Sequence, residues 1–399
     1  MKKILLVICD GLGDLPVQAL GNKTPLEAAD TPNLNALCAQ SVCGTMNSIK
    51  PPEIPESDNA HLSIFGYELE KYYCGRGPFE SAGVGLKLRE GDVALRANFG
   101  TVDETLTVID RRAGRIENIA PLCKAIDGMK INGVTFIVKP GTAYRAALVM
   151  RGSGLSASIS NADPHEVGQK ILEVKALGES EEAKKTALLL NEFLKKSHEI
   201  LQEHALNKKR KAAGLPLANH ILCRGAGFVC KIPSFKERFG LSAACISGAG
   251  LYKGVASMVG MKILKVKGTT GLPNTNVKAK FAAAKKALKK FDFVFVHIKA
   301  ADSLGEDGNC SGKKEFIEKI DAAAKELRGL KNTLVVVTAD HSTPCEQKKH
   351  SADPVPLMIA GTGSNDGLQK FCESECKKGS LGQMLGNELM PKLAGLAKQ

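Results

Sequence analysis

Acidic and histidine side chains follow three apolar segments of this 399-residue chain. Asp10 follows VIC, Asp302 follows FVHIKAA, and the pair Asp340 and His341 follows VVVTA, with His350 nine residues further on. Taken singly, an aspartate after a strand is commonly a helix N-cap or a turn residue. Parallel strands, however, present their carboxyl ends at one edge of a sheet, so these side chains are expected to converge. Converging carboxylates repel unless cations neutralise them, and this residue set predicts a site for Mn²⁺, Mg²⁺ or Zn²⁺.

Ser57 offers a nucleophile beside such a site. In PPEIPESDNAHLSIFGY, Pro55 interrupts the chain and Ser57 opens an amphipathic helical segment. A serine in this position also suits a helix N-cap, which is the structural alternative. A helix N-terminus favours an incoming phosphate, and a nearby divalent cation would lower the pKa of the hydroxyl. The segment therefore predicts a serine that accepts a phosphoryl group where the metal site is present.

Arginines gather in the middle of the chain. TVIDRRAGR supplies Arg111, Arg112 and Arg115, and LCRGAG supplies Arg224. A single arginine is commonly a surface charge, but the planar guanidinium pairs with both carboxylate and phosphate groups, so the cluster predicts an anionic ligand. Lys253, in SGAGLYKG after a predicted strand, is placed to reach a phosphate.

Composition narrows the class of partner. A net charge of +13 suits a small anionic substrate or a nucleic acid, but the chain has no Trp and few aromatic residues near its basic runs, which argues against nucleic acid. No apolar run approaches the roughly 18–20 residues that span a bilayer, so no membrane partner is expected. The twelve cysteines form no CxxC pair and predict reduced thiols in a cytoplasmic protein. A monomer or small homo-oligomer is expected.

Short apolar segments alternate with amphipathic ones at both ends of the chain. Strands are predicted at 4–9, 241–246, 261–266, 291–298 and 333–338, with helices such as 276–290 and 313–330 among them. The first strand, rather than a signal peptide, accounts for the apolar N-terminus, because Asp10 interrupts it early. This alternation predicts an α/β fold with a mostly parallel sheet and helices on both faces.

The middle of the chain has a different pattern. Residues 75–237 are richer in charge and in strand-like alternation, and they include a long helical stretch at 179–206. We therefore expect an inserted α+β domain of residues 75–237 and a discontinuous core of residues 1–74 and 238–399.

Nine segments, in order along the chain, carry a family resemblance. They are ICDG, PESDNAHLSIFGY, YYCGRGPFESAGVG, IDRRAGR, RGAG, LYKGVASMVGM, HIKAAD, TADHSTP and HSADPVP. The set resembles the archaeal type of cofactor-independent phosphoglycerate mutase, which belongs to the alkaline phosphatase superfamily. The resemblance implies an alkaline-phosphatase-like core that binds two metal ions and an inserted cap domain that grips the substrate. It also implies interconversion of 3-phosphoglycerate and 2-phosphoglycerate, in glycolysis and gluconeogenesis, without 2,3-bisphosphoglycerate.

The resemblance also implies roles for individual residues. Ser57 would take the phosphoryl group from 3-phosphoglycerate and return it to the 2-hydroxyl. One metal would be held by Asp10, Ser57, Asp340 and His341, and the other by Asp302, Glu306 and His350. Arg224 and Lys253 would assist Ser57 in catalysis, and the substrate would be bound by Arg76, Arg111, Arg112, Arg115, Asp163 and His165.

One position departs from the family pattern. Four residues beyond the metal-binding Asp302, where the family normally has a histidine, this chain has Glu306. A carboxylate in place of an imidazole favours Mn²⁺ or Mg²⁺, with Zn²⁺ and Co²⁺ as alternatives. Two other functions stay open. One is a phosphotransferase or phosphatase of the same superfamily, resembling its proposed homoserine kinases; the other is a catalytically impaired homologue that only binds.

Overall fold

Two units make up the chain. The computed structural model describes residues 1–399. The core unit comprises Met1–Tyr73 and Ile232–Gln399, and the inserted unit comprises Cys74–Lys231. None of the helices has both the length and the apolar character needed to cross a membrane.

The strands and helices have the following bounds. The strands are β1 Lys3–Cys9, β2 Ser41–Asn47, β3 Val93–Val102, β4 Val108–Asp110, β5 Met129–Ile131, β6 Val134–Pro140, β7 Arg145–Arg151, β8 His220–Phe228, β9 Ala243–Ile246, β10 Lys262–Ile263, β11 Phe293–Ile298, β12 Thr333–Thr338, β13 Val355–Ala360 and β14 Gly382–Leu385. The helices are α1 Pro25–Ala28, α2 Pro32–Cys38, α3 Ser57–Ile64, α4 Leu69–Tyr72, α5 Arg76–Gly83, α6 Ala120–Ile126, α7 Glu181–Glu203, α8 Ala205–Ala212, α9 Phe235–Phe239, α10 Gly250–Met258, α11 Val277–Ala287, α12 Ala300–Glu306, α13 Cys310–Ala324, α14 Glu373–Cys376 and α15 Gly386–Lys398.

The core unit is built on one eight-stranded sheet with the order β10-β9-β11-β1-β12-β13-β2-β14. Only β13 runs antiparallel to its neighbours. The apolar strand β1 lies in the middle, parallel to β11 and β12, with Ile8 opposite His297 on one side and Thr338 on the other. These three strands therefore end side by side, and the residues that follow them meet at one edge of the sheet. The predicted mostly parallel α/β fold is confirmed.

The core sheet has three strands that the apolar pattern did not predict. All five predicted strands form, although β10 is reduced to Lys262–Ile263. The additional strands have weak signals: β2 (SVCGTMN) contains glycine and small polar residues, β13 (VPLMIA) contains a proline, and β14 has only four residues. Their β structure depends on the partners they meet in the sheet rather than on local propensity.

Local caps set the helix boundaries. The side chain of Asn276 accepts a hydrogen bond from the backbone N–H of Ala279 at the start of α11, and that of Ser180 accepts one from Ala183 at the start of α7. The long helical stretch predicted at 179–206 ends at Glu203, because His204 is extended and its side chain caps the separate helix α8.

The inserted unit contains an antiparallel sheet of β4-β3-β7-β6-β5, in which β8 also pairs with β3. Helices α6 and α7 pack against it: the ring of Phe193 on α7 stacks on that of Phe136 on β6 with 4.3 Å between centroids. Both rings are fully buried. Within the unit, the elements have the α+β character that the sequence predicts.

A buried lysine ties two of the strand-end loops together. Lys313 on α13 is fully buried and donates to the carbonyl oxygens of Gly13 (3.1 Å) and Thr343 (3.0 Å) and to Oδ2 of Asp14 (2.7 Å). Asp14 in turn accepts from the backbone N–H of Cys345 at 3.2 Å. The ammonium group of Lys313 therefore links the loop after β1 to the loop after β12.

Glycine is required where two of these loops touch. Gly11 has φ 64°, and a Cβ placed there would lie 2.6 Å from Cα of Asp302. A larger residue would force the loop after β1 away from α12. The close approach of the loop after β1 to Asp302 depends on this glycine.

Glu373 adds a titratable group to the same network. Its carboxylate is 8% exposed and accepts from the backbone N–H of Asp14 (3.2 Å) and from the hydroxyl of Thr24 (2.8 Å). Burial, with a smaller contribution from the charge of Glu27, raises the pKa of Glu373 to about 7. The folded state therefore holds this proton more tightly than the unfolded chain does. The resulting stability is present below the unfolded pKa and is lost as the pH rises through about 7.

We expect Glu373→Gln to remove this pH dependence. The amide keeps an acceptor oxygen without the charge. At pH 8 the free energy of unfolding of the variant should therefore exceed that of the parent by up to about 3 kcal/mol, and this difference should shrink towards pH 5. Urea unfolding at pH 5, 6.5 and 8 measures this. Glu375→Gln, on the same helix and paired only at the surface with Lys378, is the control and should keep the parent's dependence. Parallel curves for the parent and Glu373→Gln would contradict the assignment.

Candidate active site

Two groups of potential metal ligands lie at the carboxyl edge of the core sheet. One consists of Asp302, His341 and His350, and the other of Asp10, Asp340 and His341. Within each group the ligand atoms lie within 4.8 Å of one another, and His341 belongs to both. The structure therefore brings together five residues that the ends of separate elements supply.

The carboxylates of these groups are buried and incompletely satisfied. Oδ1 of Asp10 and Oδ2 of Asp340 have no hydrogen-bond partner although both atoms are inaccessible to solvent. Burial, reinforced by the charge of Asp10, raises the pKa of Asp340 well above its usual range. Buried oxygens without a partner are costly, and a cation held between them would remove the cost. The donor set fits a divalent cation of the kind that prefers oxygen and imidazole ligands.

Lys299 supplies positive charge at this edge. Its ammonium lies 2.6 Å from Oδ2 of Asp302 and 3.3 Å from Oδ2 of Asp10, so it contacts one carboxylate of each group. Burial opposes the charged form, but Asp10 and Asp302 outweigh it and raise the pKa of Lys299 well above its usual value. Burial alone would raise the pKa of Asp302, but the charge of Lys299 outweighs it, and the pKa of Asp302 lies well below its usual range.

Hydrogen bonds fix which nitrogen of His341 faces the ligand groups. The hydroxyl of Thr343 donates to Oδ1 of Asp302 at 2.8 Å, so its oxygen accepts from Nδ1–H of His341 at 3.1 Å. The lone pair of His341 is therefore on Nε2, which lies 3.5 Å from Oδ1 of Asp10 and 3.4 Å from Oδ2 of Asp340. Burial, with the nearby His350, lowers the pKa of His341 to about 3, so the ring is neutral. This is the arrangement of a metal-ligating histidine, in which the second nitrogen is held by a neighbour.

His350 is oriented in the same way. Its Nδ1 donates to the carbonyl oxygen of Pro55 at 2.9 Å, and its Nε2 lies 3.3 Å from Oδ1 of Asp302. Burial disfavours the charged ring, but the hydrogen bond and charge of Asp302 raise the pKa of His350 to about 9. A cation that binds through Nε2 must therefore displace a proton from this ring.

Ser57 lies beside both groups. It is the first residue of α3, and the N-cap position before it is taken by Glu56, whose backbone N–H donates to the side chain of Asn59. Its hydroxyl is therefore not used as a cap. Oγ lies 3.4 Å from Nε2 of His341, and the side chain is only 3% exposed.

Three buried aromatic rings support this hydroxyl and Asp10. His61 donates from Nδ1 to the carbonyl oxygen of Ser57 at 2.6 Å, and His297 donates from Nε2 to Oδ2 of Asp10 at 2.9 Å. Tyr252 donates to Oγ of Ser57 at 3.3 Å. The three rings contact one another, with 3.4 Å between the centroids of Tyr252 and His297.

Two residues predicted for the core site, Glu306 and Lys253, are not members of either ligand group. Glu306 ends α12 and is half-buried, but it belongs to neither ligand group. Its charge acts on Lys299, whose pKa it helps to raise. Lys253 lies in the first turn of α10, next to Tyr252. Metal binding by Glu306 and catalysis by Lys253 therefore stay predictions.

In the inserted unit, the structure joins three of the predicted segments. Nη2 of Arg111 donates to Oδ2 of the buried Asp163 at 2.7 Å, and Oδ1 of Asp163 accepts from the backbone N–H of His165 at 2.9 Å. Nε2 of His165 accepts from Nη1 of Arg224 at 3.0 Å. Arg112 and Arg115 lie in the turn that follows β4. These contacts orient Arg111 and Arg224.

A second arginine cluster in this unit was only partly anticipated. Nε of Arg76 lies 3.4 Å and Nε of Arg96 3.8 Å from Oε1 of Glu80, which is 8% exposed. Arg96 on β3 lies opposite Arg224 on β8, and Arg145 acts electrostatically on both Glu80 and Arg96. Four guanidinium groups in one neighbourhood suit an anionic ligand.

Several residues of the site were not predicted from the sequence, and each omission has a physical reason. Lys299 and Thr343 each lie within three residues of a predicted ligand, but only the register of β1, β11 and β12 shows which carboxylates they touch. Arg96 had a signal in the sequence, since it is the one charged residue of the segment VALRANFGTV, which forms the fully buried strand β3. Tyr252, His61 and His297 look like ordinary core residues in the sequence, and only the structure shows their polar atoms directed to Ser57 and Asp10.

Comparisons with known proteins agree with this fold along the whole chain. A family model described as 2,3-bisphosphoglycerate-independent phosphoglycerate mutase matches residues 38–207. The chain is 48% identical over 400 residues to 2,3-bisphosphoglycerate-independent phosphoglycerate mutase 1 of Methanocaldococcus jannaschii, covering 99% of this chain and 97% of the relative. It is 45% identical over 395 residues to the corresponding protein of Archaeoglobus fulgidus, with 97% and 96% covered.

Two solved structures are similar over the same length. A protein from Pyrococcus horikoshii has a TM-score of 0.84 at 36% identity, with 100% of this chain and 97% of that chain covered. The cofactor-independent phosphoglycerate mutase from Thermoplasma acidophilum has a TM-score of 0.68 at 36% identity, with both chains covered completely.

The fold and the buried donor set are those of an α/β enzyme that uses divalent metal ions. The chain belongs to the family of 2,3-bisphosphoglycerate-independent phosphoglycerate mutases, as the sequence predicts. It is an isomerase by this membership, and the family description excludes 2,3-bisphosphoglycerate as a cofactor.

Proposed function

We propose that this chain interconverts 3-phosphoglycerate and 2-phosphoglycerate through a phosphoserine at Ser57. The observation that carries the proposal is the position of the Ser57 hydroxyl. It is not used as a helix cap, and it lies 3.4 Å from Nε2 of His341, the residue that the two ligand groups share.

Two divalent cations, Mn²⁺ or Mg²⁺, are the proposed partners of this serine. Asp10, Asp340, His341 and Ser57 would hold one, and Asp302, His350 and Glu306 the other. When bound, the cations would supply charge that stabilises the transferring phosphoryl group. The partnerless oxygens of Asp10 and Asp340 support this assignment, because they need a positive partner.

The protein groups have distinct tasks in the transfer. His61 and Tyr252 orient Ser57 from its carbonyl and hydroxyl sides, while His297 and Lys299 hold Asp10 in place. Orientation of the attacking oxygen removes entropy from the barrier. Ser57 is only 3% exposed, so little water can reach a phosphoryl group on its hydroxyl. This burial favours return of the phosphoryl group to glycerate over hydrolysis.

The inserted unit would recognise the anionic substrate. Arg76, Arg111, Arg112, Arg115 and Arg224, with Asp163 and His165, are the proposed substrate-binding residues, with Arg224 and Lys253 also assisting catalysis. Guanidinium groups bind carboxylate and phosphate oxygens in pairs, and phosphoglycerate carries both groups. The hydrogen bonds from Arg111 to Asp163 and from Arg224 to His165 support preorganised positions for two of these side chains.

The function is tested by following ¹³C-labelled 3-phosphoglycerate by NMR with metal-loaded protein. We expect 2-phosphoglycerate to form without added 2,3-bisphosphoglycerate and without a matching release of inorganic phosphate. Ser57→Ala should lower the rate by at least about 1000-fold, because no other nucleophile lies at this position.

Ser63→Ala, on the same helix and equally buried, is the matched control and should keep the parent's rate. Turnover by Ser57→Ala near the parent's rate would exclude a phosphoserine at this position. Release of phosphate as the main product would instead indicate a phosphatase.

Glu306 generates a prediction about metal preference. A carboxylate near the second ligand group should favour Mn²⁺ or Mg²⁺, and Glu306→His should shift the optimum towards Zn²⁺. Turnover by metal-stripped protein, reloaded separately with Mn²⁺, Mg²⁺, Co²⁺ and Zn²⁺, measures the order. Asp307→His places the same imidazole one residue further along and should leave the preference unchanged. A clear Zn²⁺ optimum in the parent would contradict the role given to Glu306.

A further inference from the structure

Tyr252 contacts the oxygen that the proposed function makes the nucleophile. Its side chain is 2% exposed, and its hydroxyl donates to Oγ of Ser57 at 3.3 Å. Tyr252 comes from α10, whereas Ser57 begins α3, so the contact joins two elements that are far apart in the sequence.

The packing around the ring leaves the hydroxyl little freedom. The ring stacks on His297 with 3.4 Å between centroids and an interplanar angle of 20°, and it lies 4.9 Å from the ring of His61. The ammonium of Lys299 lies 5.6 Å from its centroid on one face. A tyrosine held on several sides presents its O–H in one direction, and here that direction is Oγ of Ser57.

We propose that Tyr252 is a further catalytic residue of the phosphoryl transfer, whose hydroxyl stabilises the negative charge on Oγ of Ser57 when this oxygen is not bonded to phosphorus. The inference rests on the proposed role of Ser57. A donor directed at an oxygen where charge develops lowers the barrier without reorganisation, because the protein fixes its direction beforehand.

The transfer balances without a further reactant. When phosphoserine forms, the bond from Oγ to phosphorus forms, the bond from phosphorus to the 3-oxygen breaks, and the Ser57 proton ends on the released 3-hydroxyl. On return, the bond from phosphorus to the 2-oxygen forms, the Oγ bond breaks, and the proton of the 2-hydroxyl ends on Oγ. Tyr252 keeps its own proton throughout and acts only as a hydrogen-bond donor.

The two states of Ser57 differ in how well they accept this bond. A charged or partly charged Oγ accepts more strongly than an esterified one. Loss of the Tyr252 hydroxyl therefore disfavours the state in which Oγ is free, so breakdown of phosphoserine should slow and phosphoserine should accumulate. A residue that served only to pack the site would not produce this accumulation.

The test compares Tyr252→Phe with the parent as full-length, Mn²⁺-loaded protein. We expect kcat for phosphoglycerate interconversion to fall about 10- to 100-fold, since one donor to a charged oxygen is lost. KM should fall with it, because phosphoserine accumulates when its breakdown limits turnover. Acid quenching during turnover, followed by mass spectrometry of the Ser57 peptide, should show a larger phosphorylated fraction than in the parent.

Tyr67→Phe is the matched control. Tyr67 is equally buried, and its hydroxyl donates to the carbonyl oxygen of Pro233 at 2.8 Å, away from Ser57. It should keep the parent's kcat and phosphoserine fraction. A kcat of Tyr252→Phe within about twofold of the parent would overturn the proposal, and so would a lower kcat with no rise in phosphoserine.

A second phosphoryl donor separates this inference from the proposed function. Ser57 is phosphorylated with p-nitrophenyl phosphate and the donor is removed. The loss of phosphoserine from the protein is then followed over time by mass spectrometry of the Ser57 peptide. Decay at least about tenfold slower in Tyr252→Phe supports the role of Tyr252 even if the parent does not interconvert phosphoglycerates. Equal decay overturns it, and failure of both donors to label Ser57 in the parent overturns it together with the proposed function.

Discussion

The repulsion between three buried carboxylates is the constraint on which the site depends. Asp10, Asp302 and Asp340 follow adjacent parallel strands, so the register of β1 with β11 and β12 forces them together. All three are almost fully buried, and Lys299 is the cation that contacts two of them. Such an arrangement is costly unless further positive charge is bound, and that need connects the fold to divalent metal chemistry.

The surrounding groups keep this costly arrangement in one geometry. Thr343 bridges His341 and Asp302, and the carbonyl oxygen of Pro55 holds the ring of His350. Beneath them, Lys313 joins the loops after β1 and β12. Because each of these bonds fixes a donor direction or a tautomer, the ligand groups exist as a shaped site before any cation arrives.

Sequence could predict the fold class and the strand-end ligands, because both follow from local patterns. The apolar runs predicted β1, β11 and β12, and Asp10, Asp302 and Asp340 come within four residues of the ends of these strands. It could not predict β2 and β13, whose strand structure depends on their neighbours in the sheet. Nor could it show that Glu56 takes the cap position and leaves the hydroxyl of Ser57 available, or that Tyr252 donates to it, since those facts depend on tertiary contacts.

The most direct test of the central claim is the number of Mn²⁺ ions that the chain binds. Metal-stripped full-length protein is titrated with Mn²⁺ by isothermal calorimetry at pH 7.5, and the bound metal is counted by elemental analysis after gel filtration. We expect two ions per chain, held by the carboxylates and histidines at the edge of the core sheet, with one lost in Asp302→Asn. A parent protein that binds no Mn²⁺, or only one ion, would contradict it.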